Sequence, residues 1–276
     1  MIILKIKYTL PKISSIEDIE NKIVQTELKE YMKKDYVLGC MLWGSRATRF
    51  AEPTTDYDLL IYVTQDFFDS LNKKDIAILK YDESVNPKRL LIDFTYWADS
   101  IFQDQLTSPM DIDHSAYSEG MVLEDKTGKL EEWRKKLAYY PEETHEDRMK
   151  MKWINLLVSF GYVKKNQDRG NTLDMKINLY KTLTIATNLF FNLKRSWAPP
   201  LKWWSKYAKK VGIEEDLFEL YEKAINQLTV EDTKNLIDYL KKMIENSGIN
   251  LENFVEDFFE TIYSKGRIKL IKYSYF

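Results

Sequence analysis

The chain is short of the side chains on which zinc chemistry and histidine-based nucleophilic catalysis depend. Its 276 residues include one cysteine, Cys40, and two histidines, His114 and His145. A lone cysteine excludes an intrachain disulfide, and its apolar surroundings predict simple burial. Two histidines far apart leave little material for a zinc site or a Ser-His-Asp triad, so any metal is expected on oxygen ligands. No stretch approaches the roughly 20 uninterrupted apolar residues of a membrane span. The N-terminal MIILKIKYTLPKI is too short and too interrupted by lysine for a secretory signal, which points to a cytoplasmic protein without a membrane partner. Neither sign of charge dominates: 41 basic residues stand against 43 acidic ones. A net charge of −2 provides no global field for long nucleic acid and suits small or cationic partners better.

What is present is the composition of a soluble globular protein, 44% apolar and 30% charged, long enough for two modest domains. Residues 14–34 predict a helix capped at Ser14 or Ser15, with Ile16, Ile19, Ile23 and Leu28 as its apolar stripe. A nearly continuous apolar run over 36–43 predicts a strand buried on both faces, ending at Gly44-Ser45. Strands are also predicted over 57–63, 89–97 and 121–124, with a short apolar run at 76–79. From about residue 129 the pattern becomes helical, punctuated by Pro, Gly and Asn at 141, 170–171, 199–200, 212 and 248. The expected division is therefore 1–128, a mixed sheet with flanking helices, and 129–276, all helical. Both chain ends alternate like strands, at Ile3, Leu4, Ile6 and Tyr8 and again at Ile268, Leu270, Ile271, Tyr273 and Tyr275. They are expected either to pair with each other or the sheet, or to fray.

Chemistry concentrates between the first and third strands. Side chains two apart on a strand share a face, so Asp56 and Asp58 would present two carboxylates together, with Tyr57 facing away. Adjacent anions repel unless a cation lies between them, and Mg²⁺ is commonly held by one or two carboxylates plus substrate phosphates. Asp93 interrupts an otherwise apolar strand, where an unpaired charge is costly and a shared metal would satisfy it. Gly44 permits a tight turn that brings backbone N–H groups and the Ser45 hydroxyl toward a phosphate, with Arg46 and Arg49 following. These parts fit phosphoryl or nucleotidyl transfer by two metal ions, with in-line displacement of pyrophosphate.

Gly44-Ser45, then Asp56-Tyr57-Asp58, then Asp93 resemble the nucleotidyltransferase superfamily that includes DNA polymerase beta, kanamycin nucleotidyltransferase and the minimal nucleotidyltransferases. The match covers residues 36–97; with the helical second half, the chain looks most like the aminoglycoside 6-adenylyltransferase type. The resemblance implies an α+β fold, a nucleotidyltransferase mixed sheet followed by an all-helical domain. It implies Mg²⁺ on Asp56 and Asp58, nucleotide phosphates at Gly44 and Ser45, and Asp93 as second-metal ligand or base. ATP would be the co-substrate and a small polar hydroxyl compound the acceptor, closed in by the helical half. One departure stands out: the loop RATRFAEPTT lacks the early glycine many members carry, which predicts a stiffer loop. The alternative is a protein-modifying or antitoxin-type nucleotidyltransferase.

In the helical half, Asp174, Asn178, Lys181, Asn188 and Asn192 fall on one helix face. On that face Lys181 is a candidate for the triphosphate, and Asp174 and Asn178 for the acceptor; a solvated stripe is the plain alternative. The tryptophans of 196–204 predict helix-on-helix packing. A second D-x-D, Asp111-Ile112-Asp113, has no Gly-Ser before it and predicts a solvated turn, and both histidines are expected in solvent.

Overall fold

The computed structural model describes residues 13–251. The strand-like ends at 3–8 and 268–275 lie outside the described residues. The described residues form two compact units: 13–108 together with Asp113–Tyr139, and Pro109–Ile112 together with 140–251.

The first unit is built on a sheet. Asn21 starts α1 (Lys22–Met32) by accepting from the Ile23 and Val24 amides at 3.0 and 3.3 Å. The helix begins later than its hydrophobic pattern suggests. Asp18 accepts from the amides of Ser14 and Ser15 at 2.7 and 2.9 Å, and this local bonding competes with helix. Then follow β1 (Val37–Leu42), the single turn α2 (Gly44–Ala47), β2 (Tyr57–Val63), α3 (Gln65–Ser70), β3 (Ala77–Asp82), β4 (Arg89–Trp97), α4 (Asp99–Leu106), α5 (Asp111–Glu119), β5 (Met121–Asp125) and α6 (Lys129–Ala138). The strand order is β3-β4-β2-β1-β5, with β2 and β4 parallel and the other pairs antiparallel.

Strand alternation sends β2 into two cores. Leu59, Ile61 and Val63 pack with Val24, Leu28 and Met32 of α1 on one side. Leu60 and Tyr62 pack with Phe102, Tyr117, Leu130 and Leu137 on the other. Cys40 is buried, and burial pushes its thiol up to about 12. The unit boundary falls after Tyr139 rather than at Gly128, because Leu130 and Leu137 of α6 belong to the sheet's core. Gly128 is instead a turn: it takes φ 76, and Asp125 accepts from its amide at 2.9 Å.

The second unit is helical: α7 (His145–Asp168), α8 (Thr172–Leu193), α9 (Trp204–Lys210), α10 (Glu215–Gln227) and α11 (Val230–Asn246). Gly170, at φ 71, turns α7 into α8, and the buried Thr182 hydroxyl donates to Ser159 at 2.9 Å between them. Trp204 packs on Phe218 and Tyr221 of α10, as helix-on-helix packing requires. No helix among the described residues is long and apolar enough to cross a membrane.

Asp111 is not a solvated turn. It is 1% exposed and receives the Asn192 amide at 2.9 Å, Lys152 Nζ at 3.3 Å, the Ala198 backbone N–H at 3.4 Å and Arg148 Nη1 at 3.5 Å. The Arg148 guanidinium also covers the Trp197 ring at 4.6 Å, and the Tyr140 hydroxyl donates to Asn192 at 3.0 Å. Both histidines are buried too. His114 sits between the carbonyls of Leu137 and Ser108 at 3.1 and 3.0 Å, and His145 lies 3.2 Å from the Tyr140 hydroxyl. Burial, with the nearby Arg195 charge, holds the His145 imidazole below its ordinary pKa.

Removing one member of a buried ion pair strands its partners without compensation. Asp111→Ala is therefore expected to cost about 3–5 kcal/mol, read by urea denaturation, with hydrogen exchange accelerated along α7 and α8.

Candidate active site

The register of the sheet decides which carboxylates meet. Asp58 and Asp93 are direct partners on the parallel strands β2 and β4, so two residues 35 apart in sequence stand side by side on one face. Thr95 and Trp97 continue that face along β4. The Trp97 ring meets Trp43 edge-on at 5.6 Å and Tyr117 at 6.1 Å, lining the sheet beyond the carboxylates with aromatics.

Gly44 closes the opposite side. It takes φ 65, and a Cβ built on it would come within 2.6 Å of the Asp58 carboxyl carbon. The turn after β1 thus lies directly on the Asp58 carboxylate, an approach only glycine allows. The Trp43 amide donates to the Asp58 carbonyl at 3.1 Å, holding turn and strand together. The next residue, Ser45, is 7% exposed, and its hydroxyl is buried without a hydrogen-bond partner. Buried hydroxyls are rarely left so, and those that are call for a functional account.

Asp56 precedes β2 and is half-buried, like Asp58 and Asp93. Burial, reinforced by the Asp56 charge, raises the Asp93 carboxyl above its ordinary value, so these two carboxylates sense each other. Among the described residues no group of three or more His, Cys, Asp or Glu side chains is gathered closely enough to hold a metal by itself.

Arg46, expected at the phosphates, is turned the other way. It is 7% exposed, its Nε donates to the carbonyls of Thr55 and Asp56, both at 3.1 Å, and its Nη2 reaches Thr55 and Pro53. Its guanidinium lies 3.8 Å over the Tyr57 ring. The loop that lacks glycine finds its left-handed residue in Arg49, at φ 60, whose side chain is exposed. The carbonyl of Ser45 gathers the same loop, accepting from the amides of Phe50 and Ala51 at 2.9 and 3.1 Å.

The helical-half candidates belong to the second unit. Asp174 and Lys181 are exposed, and the Asn178 amide donates to the Asp174 carbonyl at 2.8 Å. Asn192, on the same predicted polar stripe, is fully buried against Asp111. The stripe therefore runs from solvent into a core, and a helical wheel alone does not distinguish its two ends.

A family model described as a domain of unknown function (DUF4037) matches residues 113–204, a segment that leaves out Asp56, Asp58 and Asp93. No curated protein matches. Among solved structures, a nucleotidyltransferase-like protein from Exiguobacterium sibiricum 255-15 is similar at 15% identity, with a TM-score of 0.48, over 89% of this chain and 85% of that one. A likeness at that score supplies no residue-level correspondence.

Two stability measurements check this geometry. Gly44→Ala adds a Cβ against Asp58 at a positive φ, and a loss of at least about 1–2 kcal/mol is expected in urea denaturation. Asp93 has its folded-state pKa raised, so its ionisation costs stability once pH rises through that value. Asp93→Asn should therefore melt higher than the unsubstituted protein in EDTA at neutral pH, with the gap narrowing as pH falls through the raised pKa and gone by about pH 4.

Proposed function

We propose that this protein is a Mg²⁺-dependent nucleotidyltransferase that moves AMP from ATP to a hydroxyl of a small polar acceptor of the aminoglycoside type and releases pyrophosphate. The observation that carries the reading is the pairing of Asp58 with Asp93 on adjacent parallel strands, with Asp56 close enough to perturb Asp93 and Gly44 pressed on Asp58. Like-charged carboxylates at one end of a sheet repel, and a cation between them removes the repulsion.

The donor set fits magnesium. This ion usually takes only one or two carboxylates and fills its octahedron with water and phosphate oxygens, so a ready-made protein cage is not required. Asp56 and Asp58 would hold the metal, and Asp93 would serve either as ligand to a second ion or as the base. When bound, the ions neutralise phosphate charge and lower the pKa of the attacking hydroxyl.

The chain's own groups do the rest. The Ser45 hydroxyl, buried and unpartnered, would donate to a phosphate oxygen, and the turn at Gly44 sets that phosphate beside Asp58. The exposed Arg49 would add charge at the phosphates. As the base, Asp93 would accept the acceptor's hydroxyl proton while the new O–Pα bond forms. The Pα–O–Pβ bond breaks and its electron pair leaves with pyrophosphate. In the helical unit, Lys181, Asp174 and Asn178 stay candidates for phosphate and acceptor contacts, from their shared helix face.

Asp56→Asn and Asp58→Asn are expected to lower Mg²⁺-dependent pyrophosphate release about 100-fold or more while keeping the far-UV circular dichroism of the parent. Full activity in either variant would remove the site. The acceptor is found by incubating labelled ATP with aminoglycosides, lincosamides and purified proteins; label on a protein alone would replace the small acceptor by the protein-modifying alternative.

A further inference from the structure

We infer that Arg46 is the positioning residue that aims the Asp56 carboxylate, and that it does so by immobilising both peptide groups flanking the Asp56 Cα. This rests on the proposed metal role of Asp56. The inference starts from a difference between the carboxylates. Asp58 and Asp93 lie inside paired strands, where the ladder sets their backbone angles. Asp56 lies one residue before β2 begins, at the end of a ten-residue loop without glycine, so the ladder does not orient it.

Arg46 supplies what the ladder does not. The Thr55 carbonyl belongs to the peptide before the Asp56 Cα, and the Asp56 carbonyl to the peptide after it. One Nε–H reaches both, at 3.1 Å each, and Nη2 adds Thr55 again and Pro53 at 3.3 Å. Fixing the two peptide planes fixes φ and ψ between them, and with them the direction of the Asp56 Cα–Cβ bond. The guanidinium itself lies over the Tyr57 ring at 3.8 Å, in a site 7% exposed. A planar fork with several donors is needed for this; a lysine ammonium on the same stem would serve fewer carbonyls and would not stack.

Arg46 also sits two residues after Gly44 and one after Ser45, so the turn that faces the phosphate and the strut that holds Asp56 are one continuous segment. Partners that orient a metal ligand typically change metal affinity about 10–100-fold when removed. Arg46→Lys is therefore expected to weaken Mn²⁺ binding, measured by electron paramagnetic resonance without nucleotide or acceptor, by about tenfold or more. In turnover, the Mg²⁺ concentration for half-maximal rate should rise by a similar factor while the KM for ATP at saturating Mg²⁺ changes little. Tyr57→Leu withdraws the ring beneath the guanidinium but leaves every carbonyl in place, and should shift Mn²⁺ affinity in the same direction by less. It serves as the test should Arg46→Lys fail to fold. Asp58→Asn separates the two layers of interpretation. If Asp58→Asn binds Mn²⁺ like the parent, the proposed metal site fails. If Asp58→Asn loses Mn²⁺ while a folded Arg46 or Tyr57 variant retains parental affinity, the positioning role of Arg46 is overturned.

Discussion

The site depends on a contact that exists because one residue has no side chain. Gly44 lies on the Asp58 carboxylate, and any Cβ there would displace either the turn or the acid. With the turn in place, the Ser45 hydroxyl is buried one residue after that contact, and Arg46 reaches back across the loop to the Asp56 carbonyl. A close backbone approach, a positive φ and a carboxylate pair are thus one arrangement. The turn at Gly44 and the proposed metal ligands cannot be repositioned independently, which is the preorganisation that the proposed phosphoryl chemistry would require.

The three carboxylates are held by three different means. Asp58 is fixed by its strand and by Gly44, Asp93 by its strand, and Asp56 by a guanidinium. Burial first, and the Asp56 charge second, raise the Asp93 pKa, so its ionised form is disfavoured in the protein alone. Strain of this kind is commonly retained where a ligand relieves it. The helical unit contains the contrasting case. Asp111 is more deeply buried than any of the three, yet two cations, a carboxamide and a backbone N–H surround it. That carboxylate is satisfied within the fold and holds residues 109–112 in the helical unit.

The two D-x-D sequences show how far local pattern reaches. Asp56-Tyr57-Asp58 was legible because a strand and a Gly-Ser turn precede it and an apolar run follows. Asp111-Ile112-Asp113 looked solvated because its neighbours are polar, but its partners Arg148, Lys152 and Asn192 are 37 to 81 residues away. The partners of Arg46 were hidden for the same reason: a cation after Gly-Ser suggests phosphate, and the loop carbonyls it bonds come within reach only once the loop has folded back. His114 and His145 carried no local sign of burial.

The amino-acid sequence by itself determined the α+β order, the limits of β2 and β4, the helical second half and the candidate carboxylates. Those features follow from residue-to-residue periodicity and backbone preference, which act within a few positions along the chain. Tertiary structure decided that Asp93 stands beside Asp58, that Arg46 bonds the Thr55 and Asp56 carbonyls, that α6 belongs with the sheet, and that Asp111 is a buried hub. Each depends on strand register or on burial against a distant element, and the energy of a charge is set by what finally surrounds it.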